Sequence, residues 1–421
     1  MAATGVLRAP GLLPCGYQLS EGCHYGGPVQ SSIPIPCIPQ FSTEAPLRAP
    51  TGVSPASYPR RLHSPLKRVS RKQLRHVCKA SLVVTAEKSA DIIQLQRITE
   101  TVPEVALKSV RAFGPATVAN LGPGFDYLGC ALDGLGDYVT AEVRDELEGG
   151  AIVINSITGD GGRLSLEAND NCAGIAAKAT LQLLGVTDVG IALTLEKGLP
   201  LGSGLGSSAA SAAAAAWAVN ALFGGVLTRA QLVEAGLVSE ATVSGYHADN
   251  IAPAIMGGFV LVRSYNPLQL IPLQYPEDRS LYFVVVTPAF EAPTREMRAV
   301  LPQEVTLKKH IANCSQGAAL VAAILTGQAD LLGSALSSDT IVEPRRGPLI
   351  PGLAAVKVSA MAAGAFGCTI SGAGPTAVAI TDSEEKGKQI GEAMQAAFAE
   401  NGRLKSTAAV LSLNREGAQV V

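Results

Sequence analysis

Leu199-Pro200-Leu201-Gly202-Ser203-Gly204-Leu205-Gly206-Ser207-Ser208-Ala209-Ala210 is the stretch around which the rest of the chain is read. Upstream, residues 189–196 put Val189, Ile191, Leu193 and Leu195 on one face, which predicts a strand. Downstream, residues 207–223 are rich in alanine, the strongest helix former, and predict a helix. A strand, a loop with three alternating glycines and a helix start, in that order, suit an anion. Glycines let backbone N–H groups curl closely around phosphate oxygens, and the helix N-terminus adds unsatisfied donors and partial positive charge. Ser207 and Ser208 add hydroxyls, one of them suited to Mg²⁺. No Gly-Lys-Ser/Thr follows, so this is not a Walker A loop, and the spacing is not G-x-G-x-x-G. The glycines by themselves also fit an ordinary connection into a helix.

Around this loop the chain has the composition of a globular enzyme. Its 421 residues are 47% apolar and 16% charged, enough for one large or two medium domains. A net charge of −2 gives no reason to expect nucleic acid or an anionic membrane as partner. No uninterrupted apolar run reaches the roughly 18–20 residues of a membrane span. The eight cysteines form no C-x-x-C pair, so neither a zinc site nor a thioredoxin-like motif is indicated. They read as free thiols of a reducing compartment.

Residues 1–80 differ from the rest. They hold ten of the 33 Lys/Arg but two of the 35 acids, and 11 of the 26 prolines. Such a segment buries too little apolar surface to fold alone. A basic, acid-poor, Ser-rich N-terminus reads as an organelle transit peptide, and the proline content favours a plastid. A disordered interaction tail is the alternative. Residues 81–102 read as a linker.

From residue 105 onward strands and helices alternate. Strands are predicted at 105–113, entering a Gly/Pro turn, and at 137–143, 151–157, 189–196, 258–263, 282–287, 368–370 and 376–380. Helices are predicted at 171–184, 207–223, 228–239 (with Thr228 as cap), 294–300, 307–326, 328–338, 354–363 and 384–400. This is an α+β protein of two domains meeting near residue 280.

Further segments complete the pattern. Gly114-Pro115-Ala116-Thr117-Val118-Ala119-Asn120-Leu121-Gly122-Pro123-Gly124-Phe125-Asp126 is a Gly/Pro-rich loop carrying two polar residues that alone would be turn formers. Ser244-Gly245-Tyr246-His247-Ala248-Asp249-Asn250 contains a His-x-Asp with no third metal ligand nearby. Thr294-Arg295-Glu296-Met297-Arg298 and Val342-Glu343-Pro344-Arg345-Arg346 supply arginines, whose guanidinium fork fits a carboxylate bidentately. Ser371-Gly372-Ala373-Gly374-Pro375-Thr376 is a second glycine-rich loop.

The residue 199–210 string resembles the ATP-binding motif of the GHMP kinases. The other segments resemble, in order, that superfamily's substrate motifs in their homoserine kinase form, over about residues 105–415. The resemblance implies a two-domain GHMP kinase fold: a ribosomal protein S5 domain 2-like N-terminal domain at 103–280 and a ferredoxin-like C-terminal domain at 281–421. It implies ATP and Mg²⁺ as cofactors, homoserine as substrate, and a homodimer. The nucleotide phosphates would lie on Pro200, Leu201, Gly202, Ser203, Gly204, Leu205, Gly206, Ser207 and Ser208, with Mg²⁺ on Ser208 and Glu240. Asp126 would pair with the substrate ammonium, Asn120 would hydrogen-bond the substrate, and His247, Thr294 and Gly372 would line its pocket. Arg298 and Arg346 would hold its carboxylate, with Arg345 the alternative to Arg346. Asn250 would orient the reacting hydroxyl, with no residue marked as a general base. Galactokinase- and mevalonate kinase-like members carry Arg or Lys after Pro-Gly in the first motif. Here Pro115-Ala116-Thr117 has no cation, which argues against those substrates. A non-catalytic sensor on the same fold is the remaining alternative.

Overall fold

The computed structural model describes Leu95 and residues 97–421, Ser244 excepted. The leader expected at 1–80 and most of the linker lie outside the described residues.

The first half contains strands β1 (Ser109–Ala119), β2 (Leu128–Val143) and β3 (Ile152–Thr158), helix α1 (Cys172–Leu184), β4 (Ile191–Glu196), helices α2 (Ser207–Leu222), α3 (Arg229–Val243) and α4 (Ile251–Met256), and strands β5 (Phe259–Tyr265) and β6 (Leu268–Leu273). Then follow β7 (Tyr282–Pro288), α5 (Thr294–Ala299), α6 (Leu307–Thr326), α7 (Ala329–Leu336), α8 (Glu343–Arg346), α9 (Leu353–Ala362), β8 (Gly367–Ile370), β9 (Ala377–Thr381), α10 (Glu384–Ala397), β10 (Ser406–Ser412) and β11 (Gln419–Val420). One sheet runs β11-β1-β2-β4-β3, with β5 joined to β2 and β6 to β5. The other runs β10-β7-β9-β8, all antiparallel, which is the ferredoxin-like order.

Helix α2 explains its own composition. Ala209, Ala212, Ala213, Ala214, Ala215, Ala216 and Ala218 are all fully buried, packed with α1, α3 and the first sheet. A helix apolar on every side belongs in a core, and methyl-sized side chains let its neighbours approach closely. The approach is closest at Gly114, where a Cβ would lie 2.0 Å from the Ala210 carbonyl oxygen.

That contact corrects one expectation. Gly114-Pro115 is not a turn; β1 runs straight through it to Ala119. The pairing register shifts between Pro115 and Ala116, so the irregularity a proline demands is absorbed as a bulge. The strand expected at 137–143 is likewise the second half of β2, which begins at Leu128; Gly129, Gly134 and Gly136 hide the alternation of its first half. Helix α4 was missed because Pro253 sits in its first turn, where proline is tolerated. Strand β6 was missed because Pro272 falls in it, on a strand that pairs with β5 alone. Strands β10 and β11 were not expected either. The chain end returns to the first sheet, with Ala112 and Phe113 of β1 opposite Val420 and Gln419.

Candidate active site

A cleft of about 500 Å³ opens between the residue 199–208 loop on one side and Asp126, His247, Arg298 and Arg346 on the other. The loop is held from beneath. Asp137 of β2 is fully buried; its Oδ1 accepts the N–H groups of Gly198 (3.0 Å) and Leu199 (3.2 Å). Its Oδ2 accepts Ser211 Oγ–H at 2.7 Å and is paired with Lys197 Nζ. Lys197, just after β4, also donates to the Ser207 carbonyl (2.9 Å) and Ser211 Oγ (2.7 Å). The pair therefore ties the loop's entrance to its exit. Its two side chains are 0% and 2% exposed.

The loop's other face rests on the second glycine loop. Ser371 Oγ donates to Gly204 O at 2.7 Å, and the Thr376 N–H donates to Ser203 O at 3.1 Å. Gly204, at φ 85°, has its missing Cβ 2.5 Å from Ser371 O, so no side chain fits there. Leu201, Gly202, Ser203, Gly204, Gly206, Ser207 and Ser208 line the cleft. Leu205 is buried in the second core cluster and anchors the loop instead. Pro200 lies outside the lining, with its carbonyl accepting Ser203 Oγ–H.

Gly206 adopts φ 65°. A Cβ there would lie 2.0 Å from Thr117 Oγ1 and 3.0 Å from Asn250 Oδ1. Those two groups are bonded: Thr117 Oγ1 donates to Asn250 Oδ1 at 2.7 Å. Asn250 lines the cleft, and with Oδ1 so engaged its amide has Nδ2, a donor, left to offer. Gly206→Ala is expected to cost about 2 kcal/mol in backbone strain and displacement. It should lower Tm by roughly 4–8 °C and reduce kcat, because Thr117 must move. Thermal melts and steady-state kinetics check both.

Ser208 Oγ donates to Glu240 Oε1 at 3.1 Å, and Glu240 is 3% exposed. A hydroxyl and a buried carboxylate side by side are hard oxygen donors. Among the described residues no cluster of three or more His, Cys, Asp or Glu forms a metal cage. Two oxygen donors fit an Mg²⁺ ion that takes its remaining ligands from phosphate and water.

The opposite wall begins in strained backbone. Asn120 (φ 73°), Leu121 (φ 45°) and Asp126 (φ 64°) are all left-handed without being glycine. Such strain persists where surrounding bonds over-determine it. Asn120 Oδ1 accepts the Asp126 N–H at 3.0 Å, and its Nδ2 donates to Gly372 O at 2.7 Å. Tyr265 Oη accepts the Ala248 N–H at 3.0 Å and donates to Asp126 O at 3.3 Å. Gly372 has both backbone groups in use, its N–H on Ala119 O and its carbonyl on Asn120 and Arg346.

Asp126 is bound bidentately by Arg298, Nη1 to Oδ2 at 3.0 Å and Nη2 to Oδ1 at 2.9 Å. His247 Nδ1 lies 3.9 Å from Asp126 Oδ2. Burial, reinforced by the two arginines, lowers the His247 pKa despite Asp126, which leaves the ring neutral at pH 7. Arg346 is 2% exposed and donates through Nε to Met297 O (2.9 Å) and through Nη1 to Gly372 O (3.1 Å). Burial and the neighbouring Arg298 bring its pKa down to about 10, so it stays charged. Both guanidiniums lie over the Phe125 ring, 5.4 Å and 5.0 Å from its centre. Arg345, the alternative, is exposed, and so is Thr294 at the cleft rim.

Asp249 lines the cleft at 4% exposure. Burial, with Asp126 and Glu240 adding to it, pushes its pKa up to about 7. Because the folded value is raised above the unfolded one, the stabilisation it brings is full at acid pH and is lost as pH rises toward 7. Asp249→Asn is expected to gain stability over the parent between pH 4 and pH 8, on the order of 2–4 kcal/mol. Urea unfolding at the two pH values reads it.

Thr117, Asp137, Lys197, Ser211, Phe125 and Tyr265 were not expected at the site. The signal for Asp137 and Lys197 was present: an acid within the largely apolar β2 and a base directly after β4. The cleft also reaches Leu164, Asp170, Asn171 and Cys172, for which no role was expected.

An anion cradle and a carboxylate–guanidinium cluster sharing one cleft define a small-molecule phosphotransferase, and the GHMP kinase families match the chain on both sides of it. The GHMP kinases N terminal domain covers residues 171–258 and the GHMP kinases C terminal region covers 320–400. A homoserine kinase of Arabidopsis thaliana is 62% identical over 327 residues, 78% of this chain and 88% of the relative. One from Chlorobium phaeovibrioides is 45% identical over 75% of this chain and all of its own length. The crystal structure of a homoserine kinase from Cytophaga hutchinsonii is 40% identical, with TM-score 0.71, over 76% of this chain and 99% of that one. The chain belongs to the homoserine kinases of the GHMP kinase superfamily.

Proposed function

We propose that this protein transfers the γ-phosphoryl group of ATP to the side-chain hydroxyl of L-homoserine, giving O-phospho-L-homoserine for threonine biosynthesis. The observation that carries this reading is the sharing of one cleft by the glycine cradle and the Asp126–Arg298–Arg346 cluster. Phosphoryl transfer passes through a loose transition state, so positioning and charge neutralisation dominate. The N–H groups of the Gly202–Ser208 loop and the start of α2 hold the phosphates. Ser208 and Glu240 hold Mg²⁺, which when bound neutralises charge on the phosphoryl oxygens. Asp126 takes the ammonium, and Arg298 and Arg346 take the carboxylate, so the hydroxyl is left pointing at the loop. Asn250, its Oδ1 fixed by Thr117, donates through Nδ2 to the attacking or transferring oxygen and so acts as an orienting group. It is not a base; the hydroxyl proton passes to a phosphate oxygen. Asn120 and Gly372 act by holding Asp126 and Arg346 in place.

The basic, Pro-rich leader and the plant relative support action in the plastid, and the family resemblance supports a homodimer. No helix among the described residues is long and apolar enough to cross a membrane. Coupled ADP release is expected with homoserine, with mevalonate and galactose near background. Equal turnover of mevalonate, or no homoserine-dependent ADP release, overturns the assignment.

A further inference from the structure

We infer that the Asp126–Arg298 ion pair is a resting lock, opened by exchange when a zwitterion brings both of its charges at once. The inference rests on the substrate reading above and adds how the site rejects ligands carrying one charge. In the ligand-free geometry Asp126 and Arg298 satisfy each other through two bonds, at 3.0 Å and 2.9 Å. Each turns to the other the edge that a charged ligand would use, so a ligand reaching those edges must part the pair. Arg298 also carries an unmet group: its Nε is buried and has no hydrogen-bond partner. Buried donors in native proteins are generally partnered, so this one marks an edge awaiting an acceptor. Beside it, Arg346 is a buried cation whose bonds go to the neutral carbonyls of Met297 and Gly372. The cluster, with His247 neutral, therefore has two guanidiniums around the Asp126 carboxylate, and Asp249 as the other acid facing it.

Exchange conserves charge pairing. An incoming carboxylate takes Arg298 and Arg346, and the incoming ammonium takes the Asp126 that Arg298 has released. A monoanion has two poorer choices. It can open the lock and strand Asp126, half-buried, without a partner, or it can leave the lock shut and use Arg346 alone. A monocation faces the mirror-image choice. Both side chains are partly buried, and leaving such a charge unpaired costs more than losing a contact; the lock discriminates on that difference.

The test uses the full chain with two analogues of homoserine: γ-hydroxybutyrate, which lacks the ammonium, and aminopropanol, which lacks the carboxylate. Asp126→Asn frees Arg298, so a monoanion that binds there leaves no carboxylate behind without a partner. It is expected to lower kcat/KM for homoserine by about a hundredfold while raising that for γ-hydroxybutyrate by about tenfold. Arg298→Gln is expected to do the same in favour of aminopropanol. MgATP binding serves as the folding control, and if one variant fails it, the other decides. A fall for homoserine and analogue together, in whichever variant folds, overturns the lock and leaves ordinary loss of a contact. Failure of the lock leaves homoserine turnover by the parent protein intact, whereas failure of the functional reading abolishes it.

Discussion

Lys197→Met is expected to lower kcat/KM for ATP by about a hundredfold or more and to destabilise the fold by about 3–5 kcal/mol. The reason is the position of Asp137, fully buried with Lys197 as its ion-pair partner. Removing the lysine leaves a carboxylate in the core against the amides of Gly198 and Leu199 and the hydroxyl of Ser211. It also frees the Ser207 carbonyl at the first turn of α2. Since that pair joins the two ends of the phosphate loop, the loop loses its curvature when the pair is broken. The double variant Asp137→Asn, Lys197→Met carries no unpaired buried charge and should recover most of the stability, though not the ATP affinity. Thermal unfolding alongside KM for ATP separates the two effects. Equal KM for ATP in parent and double variant would remove the positioning role and leave a purely structural pair.

Glu240→Gln is expected to reduce kcat by two to three orders of magnitude, in the range seen when a preorganised electrostatic group is removed, with little change in Tm. Glutamine keeps the shape and the oxygen that accepts from Ser208 Oγ at 3.1 Å, but it is a far weaker ligand for a hard cation. The Mg²⁺ concentration for half-maximal rate should rise about tenfold or more, and Ser208→Ala should shift it in the same direction. An unchanged Mg²⁺ dependence in both variants would sink the metal assignment.

Much of the site could be read in the chain because its chemistry needs particular residue types in short runs. Gly204 and Gly206 are glycine because a Cβ would strike Ser371 O or Thr117 Oγ1, and the run of alanines in α2 reflects burial on every side. The contacts reach far along the chain, but they are met by residue types gathered in one short run, so they leave a local signature. The choice between Arg345 and Arg346 was different in kind. Both carry the same fork, and which one turns inward depends on the short helix α8 packing so that Arg346 reaches Met297 O and Gly372 O. The strand through Gly114-Pro115 was misread for the same reason: its support comes from α2, nearly a hundred residues away.

What the sequence by itself carried is a glycine-rich loop opening into an alanine-rich helix, the segments that bear the carboxylate and the arginines, and the order in which they occur. What the tertiary structure alone decided is which charges meet. Asp126 finds Arg298 across 172 residues, Asp137 finds Lys197 across 60, and Thr117 finds Asn250 across 133. Motifs survive as short strings because backbone geometry is a property of neighbours along the chain. Ion pairs and hydrogen bonds act over a few ångströms through space, so their partners are named by the fold and not by spacing.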